Sequence, residues 1–457
     1  MSLPALSTST RRNLIGLWVV GLAFVSVVFG GASRDHALRL ALVELAALPL
    51  LLLAGLELLR GDWRRWTHPL LLLAAVAALP LLQLTPLPFD LWRSLPGREP
   101  IAQALDLAGV SPGWVSVSVA PEGTWSAILA LVPPAAMFCA VLVAPPESLR
   151  TAVAVYLVAA VASLFLGVAQ ILGGPDSALY GYDFVSYHSP VGFFANSNHL
   201  ASFLVATLPL GAVVAARALR RRHRSWRVVL AGVAVVCALA LVGVLLTTSR
   251  AGLMLAGPAL MASLAMVWIG SGRARPRPAV VVGALGLALA LTAAAAVLLF
   301  HWVQSNAGEY RFGAWPVVAE AADAYQPLGA GIGSFDPVYR SVEPVAAIGP
   351  AYLNHAHNEY LELWLEAGWP AAILLALFLV WWLRRSFEGW RRPPGSETDL
   401  ARAGAVVVLL LLLHSATDYP LRTETMAVMF AFAAAAVARV TRSPRRTAGE
   451  PRRAPSA

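Results

Sequence analysis

The residues best suited to chemistry lie in the last third of the chain. The segment HAHNEYLELWLEAGWP (355–370) places His357, Tyr360, Leu361, Trp364 and Leu365 at the i, i+3, i+4, i+7, i+8 spacing of one helix face. Glu359, Glu362 and Glu366 fall mostly off that face, and Gly368 with Pro370 supplies a stop signal. On this register His357 occupies the first helical turn, on the face turned toward the rest of the protein. A helix N-terminus disfavours an imidazolium and attracts anions, so a neutral imidazole and a phosphate can be held there together. That pairing suits a general base working beside a phosphorylated substrate. A structural, hydrogen-bonded histidine fits the same spacing.

Two arginines are placed to hold a phosphate. Arg250, in TTSRAG, sits where one apolar run ends and the next begins, and Arg311 opens the amphipathic stretch RFGAWPVVAEAADAY. A guanidinium can capture phosphate oxygens bidentately, although an arginine at a membrane edge also snorkels to lipid headgroups. GAGIGSF (329–335) spaces Gly329, Gly331 and Gly333 at alternate positions; it follows no strand, which argues against a nucleotide fold. It reads either as a flexible turn or as a nest of backbone N–H groups for phosphate oxygens. Asn196, Asn198 and His199 in GFFANSNHL, and His414 and Asp418 in HSATDYPLR, mark the ends of apolar runs, as caps or as supporting site residues alongside His355 and Asn358. Glu44 is a carboxylate inside an apolar run and a functional candidate for that reason.

The elements that must carry these residues are set by composition. Of 457 residues 58% are hydrophobic and 13% charged, about half the charged share of a soluble protein. Apolar runs at 13–32, 37–59, 67–86, 124–144, 149–172, 199–218, 227–248, 252–270, 279–300, 369–383, 403–417 and 424–440 predict an all-α polytopic bundle of about twelve transmembrane helices. Cys139 and Cys237 lie within apolar runs and read as small core residues. The chain has no lysine, and 26 of its 34 arginines fall in one alternating set of loops and termini against 8 in the other. The positive-inside rule then puts both termini in the cytoplasm, and the net charge of +9 reports topology and not a nucleic-acid partner. Residues 441–457 form a basic tail expected to be disordered near anionic lipid. On this topology the opposite face carries the long segments 87–123, 173–198 and 301–368, and long connections are where function concentrates. The last of these should be a large helical periplasmic loop between the ninth and tenth spans.

Taken in order, TTSRAG, GFFANSNHL, the Arg311–Trp315 pair, PLGAGIGSF, HAHNEYLELWLEAG and HSATDYPLR resemble the O-antigen ligase and O-antigen polymerase superfamily, integral-membrane glycosyltransferases of the GT-C type. The resemblance covers about residues 190–430 within a transmembrane domain of 1–440. The ligases' His, Asn, nine residues, Gly pattern is matched by His357, Asn358 and Gly368; the glycine expected three residues on is Ala371, and ligase and polymerase both stay open. The resemblance implies transfer from an undecaprenyl-diphosphate glycan to an acceptor hydroxyl at the periplasmic face of a bacterial inner membrane. The acceptor would be lipid A–core in a ligase, a second lipid-linked glycan in a polymerase, and a protein serine in related oligosaccharyltransferases. It further implies His357 as the base, Arg250 and Arg311 as diphosphate ligands, and an inverting reaction with no metal or other cofactor. Trp302, Tyr310, Trp315 and Tyr352 are candidates for stacking on sugar rings. A twelve-helix transporter or flippase is the rival reading, which predicts helices broken at mid-membrane in both halves.

Overall fold

The computed structural model describes residues 7–33, 36–272, 310–349 and 353–440, with the side chains of Tyr310 and Arg311 outside the described set. The chain is a polytopic helical bundle: among the described residues, nine helices are long and apolar enough to cross a membrane. In chain order the helices are α1 (Thr8–Phe29), α2 (Ala37–Arg60), α3 (Thr67–Gln83), α4 (Phe89–Arg93), α5 (Glu99–Leu107), α6 (Pro121–Ala130), α7 (Val132–Val143), α8 (Pro146–Gly173), α9 (Ser197–Arg221), α10 (Trp226–Leu246), α11 (Arg250–Gly270), α12 (Tyr310–Ala324), α13 (Phe335–Val342), α14 (Glu359–Arg391), α15 (Ser396–His414) and α16 (Glu424–Ala438). Their starts follow capping chemistry. Ser7, Asn196, Ser249, Asn358 and Thr423 each accept a hydrogen bond from a first-turn N–H that has no partner within its helix.

The expected spans are modified in three places. The span expected at 279–300 lies outside the described residues, as does the tail 441–457. The spans expected at 403–417 and 424–440 are α15 and α16. They are buried in the bundle and are not among the nine: α15 carries Glu397, Asp399 and Arg402 in its first two turns, and α16 has only fifteen residues. The tenth span is not separate from the helix before it. α14 runs through to Arg391 and breaks only at Gly368, whose φ of 49° and ψ of −140° interrupt the helical path. The Gly368 stop is therefore a kink, which divides α14 into a short arm (359–367) and a long apolar rod.

α9 is the centre of the bundle, buried along almost its whole length and packed on α10, α11 and α15. Its first turn holds His199, and its last turn ends in Arg220 and Arg221. α1, α2, α7, α8, α15 and α16 complete one continuous apolar core. A second, separate core lies in the loop region, where Val318, Ala322, Tyr325, Phe335, Tyr339, Leu353 and Leu365 pack α12 and α13 on the arm of α14. The segment after α3 joins the same assembly. β1 (Pro86–Pro88) pairs antiparallel with β2 (Trp114–Ser116), and the buried Arg98 between them donates to the carbonyls of Pro96, Val117 and Gly329 at 2.6 to 2.9 Å. Burial lowers the Arg98 pKa to about 10, opposed by Tyr325 beneath it, so it stays charged at neutral pH. These contacts make the loop region a packed platform at one end of the bundle.

Candidate functional site

The platform and three bundle helices converge on a group of imidazoles. His357 does not sit in the first turn of α14. It precedes the cap, Asn358, with φ of 50°, a left-handed conformation that histidine adopts more readily than most side chains do. Its neighbours hold it there. The Ala356 N–H donates to Glu362 Oε2 at 2.8 Å, the Ala356 carbonyl accepts from Trp315 Nε1 at 2.8 Å, and the Glu359 N–H donates to the Ser415 carbonyl at 2.8 Å. Asn358 Oδ1 accepts from the N–H groups of Tyr360 and Leu361, both at 3.1 Å.

Behind His357 lies a buried carboxylate. His357 Nδ1 is 3.3 Å from Asp418 Oδ1, with His357 20% exposed and Asp418 1%. The same oxygen is 3.7 Å from Nε2 of the buried His199. Burial alone would raise the Asp418 pKa; the adjacent rings of His199 and His357 outweigh it and hold the group well below the usual carboxylate range. The ring of Tyr419 contacts His199, His355 and His357, with centroids 4.9, 4.4 and 4.8 Å away. His414, one turn before Asp418, bonds through Nδ1 to Ser202 Oγ at 2.6 Å. Thus three imidazoles and one carboxylate from α9, α15 and the segment before α14 pack around a single tyrosine.

Of the glutamates that the spacing placed off the apolar face, Glu362 and Glu366 are fully buried and Glu359 is half-buried. The arm of α14 is covered on two sides, by the bundle and by the platform, so its polar residues point into protein. Glu362 and Glu366 pair with Arg422 at 3.4 and 2.8 Å, and Glu362 Oε1 meets His355 Nδ1 at 2.7 Å. Glu359 accepts from the Leu421 N–H at 2.7 Å and from Ser415 Oγ at 2.9 Å. Burial alone would lower the Arg422 pKa, but three surrounding carboxylates raise it.

The glycine nest is also used within the protein. The Gly331 N–H donates to the Glu366 carbonyl at 2.8 Å and the Gly333 N–H to Glu366 Oε1 at 2.9 Å, and Phe335 N–H reaches the same oxygen at 3.3 Å. Gly333 and Phe335 therefore bind a carboxyl group, that of Glu366 and not a substrate phosphate, while Gly331 binds the Glu366 backbone carbonyl. Both take positive φ, and a Cβ on Gly333 would lie 2.4 Å from the Gly123 carbonyl oxygen. Trp315 likewise spends its indole N–H on Ala356. Trp302, Tyr352 and the side chain of Tyr310 fall outside the described residues.

The two arginines lie on helices that pack against the elements carrying this group. Arg250 begins α11, and Gly252 one turn on lets α11 approach α9 so closely that an added Cβ would be 2.6 Å from the Ala201 Cβ, two residues from His199. Ser189 and Thr248 meet at 3.2 Å across the same end, next to Asn198 and the start of α9. The Arg311 side chain lies outside the described residues; its helix, α12, is bound to the His357 segment through Trp315. Among the described residues, no three His, Cys, Asp or Glu side chains are arranged to hold a metal ion. Glu44, half buried in α2, has Glu424 as its charged neighbour and stands apart from the imidazoles.

Residues 235–376 match the family model described as O-antigen ligase. Over that stretch the chain is similar to the O-antigen ligase family. The matched segment runs from within α10 through α11, α12 and α13 into α14, and so includes Arg250, Arg311 and His357. That family is one of ligase- and polymerase-like glycosyltransferases, and the match together with the apolar helices supports a bacterial membrane protein. No curated protein matches the chain. Asp418, Tyr419 and Arg422 lie beyond the matched segment and reach its histidine only through the fold.

Proposed function

We propose that the protein transfers a glycan from an undecaprenyl-diphosphate carrier to an acceptor hydroxyl at the periplasmic face of the inner membrane, with His357 as general base. The observation that carries this reading is the His357–Asp418 pair: an imidazole open on one side, backed at 3.3 Å by a carboxylate that is fully buried. Such a carboxylate orients the ring and stabilises the imidazolium that forms when the acceptor proton is taken. The acceptor oxygen attacks the anomeric carbon as the bond to the diphosphate breaks, and the bonding pair leaves on the diphosphate oxygen. A single displacement of this kind inverts the anomeric centre. The leaving group gains negative charge, which Arg250 and Arg311 are proposed to stabilise from α11 and α12. The sorting of arginines supports an orientation in which this end of the bundle is periplasmic and both termini are cytoplasmic. The asymmetric gathering of polar residues at one end favours this reading over a transporter.

The test is gene deletion with analysis of surface glycan, complemented by wild type, His357→Ala and Arg311→Ala. Uncapped lipid A–core with intact polymer on its carrier assigns a ligase, whereas single repeat units on the core assign a polymerase. Full complementation by both variants refutes the proposed site.

A further inference from the structure

A basic cleft lies at the far end of α9 from His199, about 30 Å along the helix axis, which is the thickness of a bilayer's hydrocarbon core. It encloses about 350 Å³ between the last turns of α9 and the start of α10, lined by Val214, Arg217, Arg221, His223, Trp226 and Val229. Nη1 of Arg217 is buried without a hydrogen-bond partner. The charges around Arg217 are mostly of its own sign: Arg150, Arg221 and Arg220, with Glu147 the one acid. Glu147 already pairs with Arg150 at 2.8 Å, and Arg220 with Asp399 at 2.7 Å. Among the described residues, no carboxylate is within ion-pair distance of Arg217 or Arg221.

A buried guanidinium N–H with no acceptor, set among like charges, is matched by a multivalent anion with several acceptor oxygens, and phosphate is that anion. The remaining walls choose its carrier. Val214 and Val229 floor the cleft with apolar surface, and Trp226, flanked by Arg222 and Arg227 at 6.0 and 5.5 Å from its ring, stands at the mouth as interfacial tryptophans do. From there α10 exposes Val228, Val235 and Val242 at seven-residue spacing, an apolar track along one side of the least buried of the nine long helices. We propose that this cleft binds the phosphate headgroup of an anionic phospholipid, with Arg217 and Arg221 as its ligands and the acyl chains lying along α10. The site is a bilayer's thickness from His357 and does not depend on the proposed glycosyl transfer.

The experiment uses the full chain in a neutral detergent, with lipid binding followed by native mass spectrometry and by thermal melting. Phosphatidylglycerol should remain bound and raise the melting temperature, and phosphatidylcholine at equal concentration should not. The Arg217→Gln, Arg221→Gln double variant should lose about 30-fold in apparent affinity for phosphatidylglycerol, while Arg224→Gln, outside the cleft, binds as wild type does. Equal binding of the two lipids by wild type overturns the proposal, as does undiminished binding by a folded double variant. Full stabilisation by inorganic phosphate alone also overturns it, since the ligand is then the free ion. If the double variant fails to fold, the wild-type comparison of the two lipids and inorganic phosphate decides the matter.

Discussion

Replacing Asp418 with Asn tests whether the carboxylate behind His357 works in the reaction or only fills space. The two side chains are nearly isosteric, so the change removes a charge and little else. A full charge 3.3 Å from Nδ1, at an effective dielectric of about 20, contributes about 5 kcal/mol to an imidazolium. The Asn amide keeps part of this as a dipole, and the ring is 20% exposed to solvent, which leaves about 3 kcal/mol. Since the positive charge on the ring of a general base grows as the acceptor proton is taken, the loss appears in kcat, at about 100-fold. The assay is transfer from a synthetic polyprenyl-diphosphate oligosaccharide to acceptor in proteoliposomes, with kcat and KM for the donor resolved. KM should hardly move, because the proposed diphosphate ligands are untouched. A kcat within about threefold of wild type, or a loss confined to KM, refutes the assignment of Asp418 as a positioning residue for a general base.

Other outcomes follow from the same geometry. The depressed pKa of Asp418 means that its charged form favours the fold, a contribution present above the unfolded value of about 3.9 and lost as pH falls through the folded value. Thermal melts of wild type and Asp418→Asn in detergent should therefore differ by a constant amount above about pH 5 and begin to converge only as pH falls below about 4, toward the folded value. Arg422→Gln removes the one cation among three carboxylates and should destabilise by about 3 kcal/mol; adding Glu366→Gln should recover part of that in a double-mutant cycle. Gly333→Ala, at φ of 86° and facing the Gly123 carbonyl, should cost about 1–3 kcal/mol in the same melts.

What was legible in the sequence was what a single element encodes. Apolar runs located the spans, because the bilayer demands about twenty apolar residues whatever surrounds them. Asn196 announced a helix start, because a cap acts on its own first turn. The register of 355–370 failed where two partners were involved. One apolar stripe implies one buried face, whereas the arm of α14 is buried on both sides, so Glu362 and Glu366 were read as peripheral and are fully enclosed. His357 was placed inside the helix because its spacing continued the stripe; the backbone turns to φ of 50° one residue before the cap, a feature the stripe does not record. Nothing local in GAGIGSF says that its acceptor is a carboxylate 33 residues on. Asp418 and His199 were separated from His357 by 61 and 158 residues, and only the packing of α9 on α15 brings them together.

The internal use of the glycine nest bears on how the site is held. A histidine in the left-handed region costs free energy and persists only where its surroundings over-determine it. Here the constraint can be followed outward from His357. The Ala356 N–H is fixed by Glu362, which also holds His355; Arg422 joins Glu362 to Glu366, and Glu366 is anchored by the N–H groups of Gly333 and Phe335. The nest is thus one end of a chain of charge-assisted hydrogen bonds whose other end is the backbone beside His357. A Gly333 variant that folds should then lower turnover as well as stability, although Gly333 lies outside the imidazole group. Loosening the anchor of Glu366 relaxes Glu362 and lets the His357 segment leave its strained conformation. A Gly333→Ala protein with reduced melting temperature but unchanged kcat would show that the nest supports the platform alone. A fall in kcat at temperatures well below the melting transition would show that the strain is held from that distance.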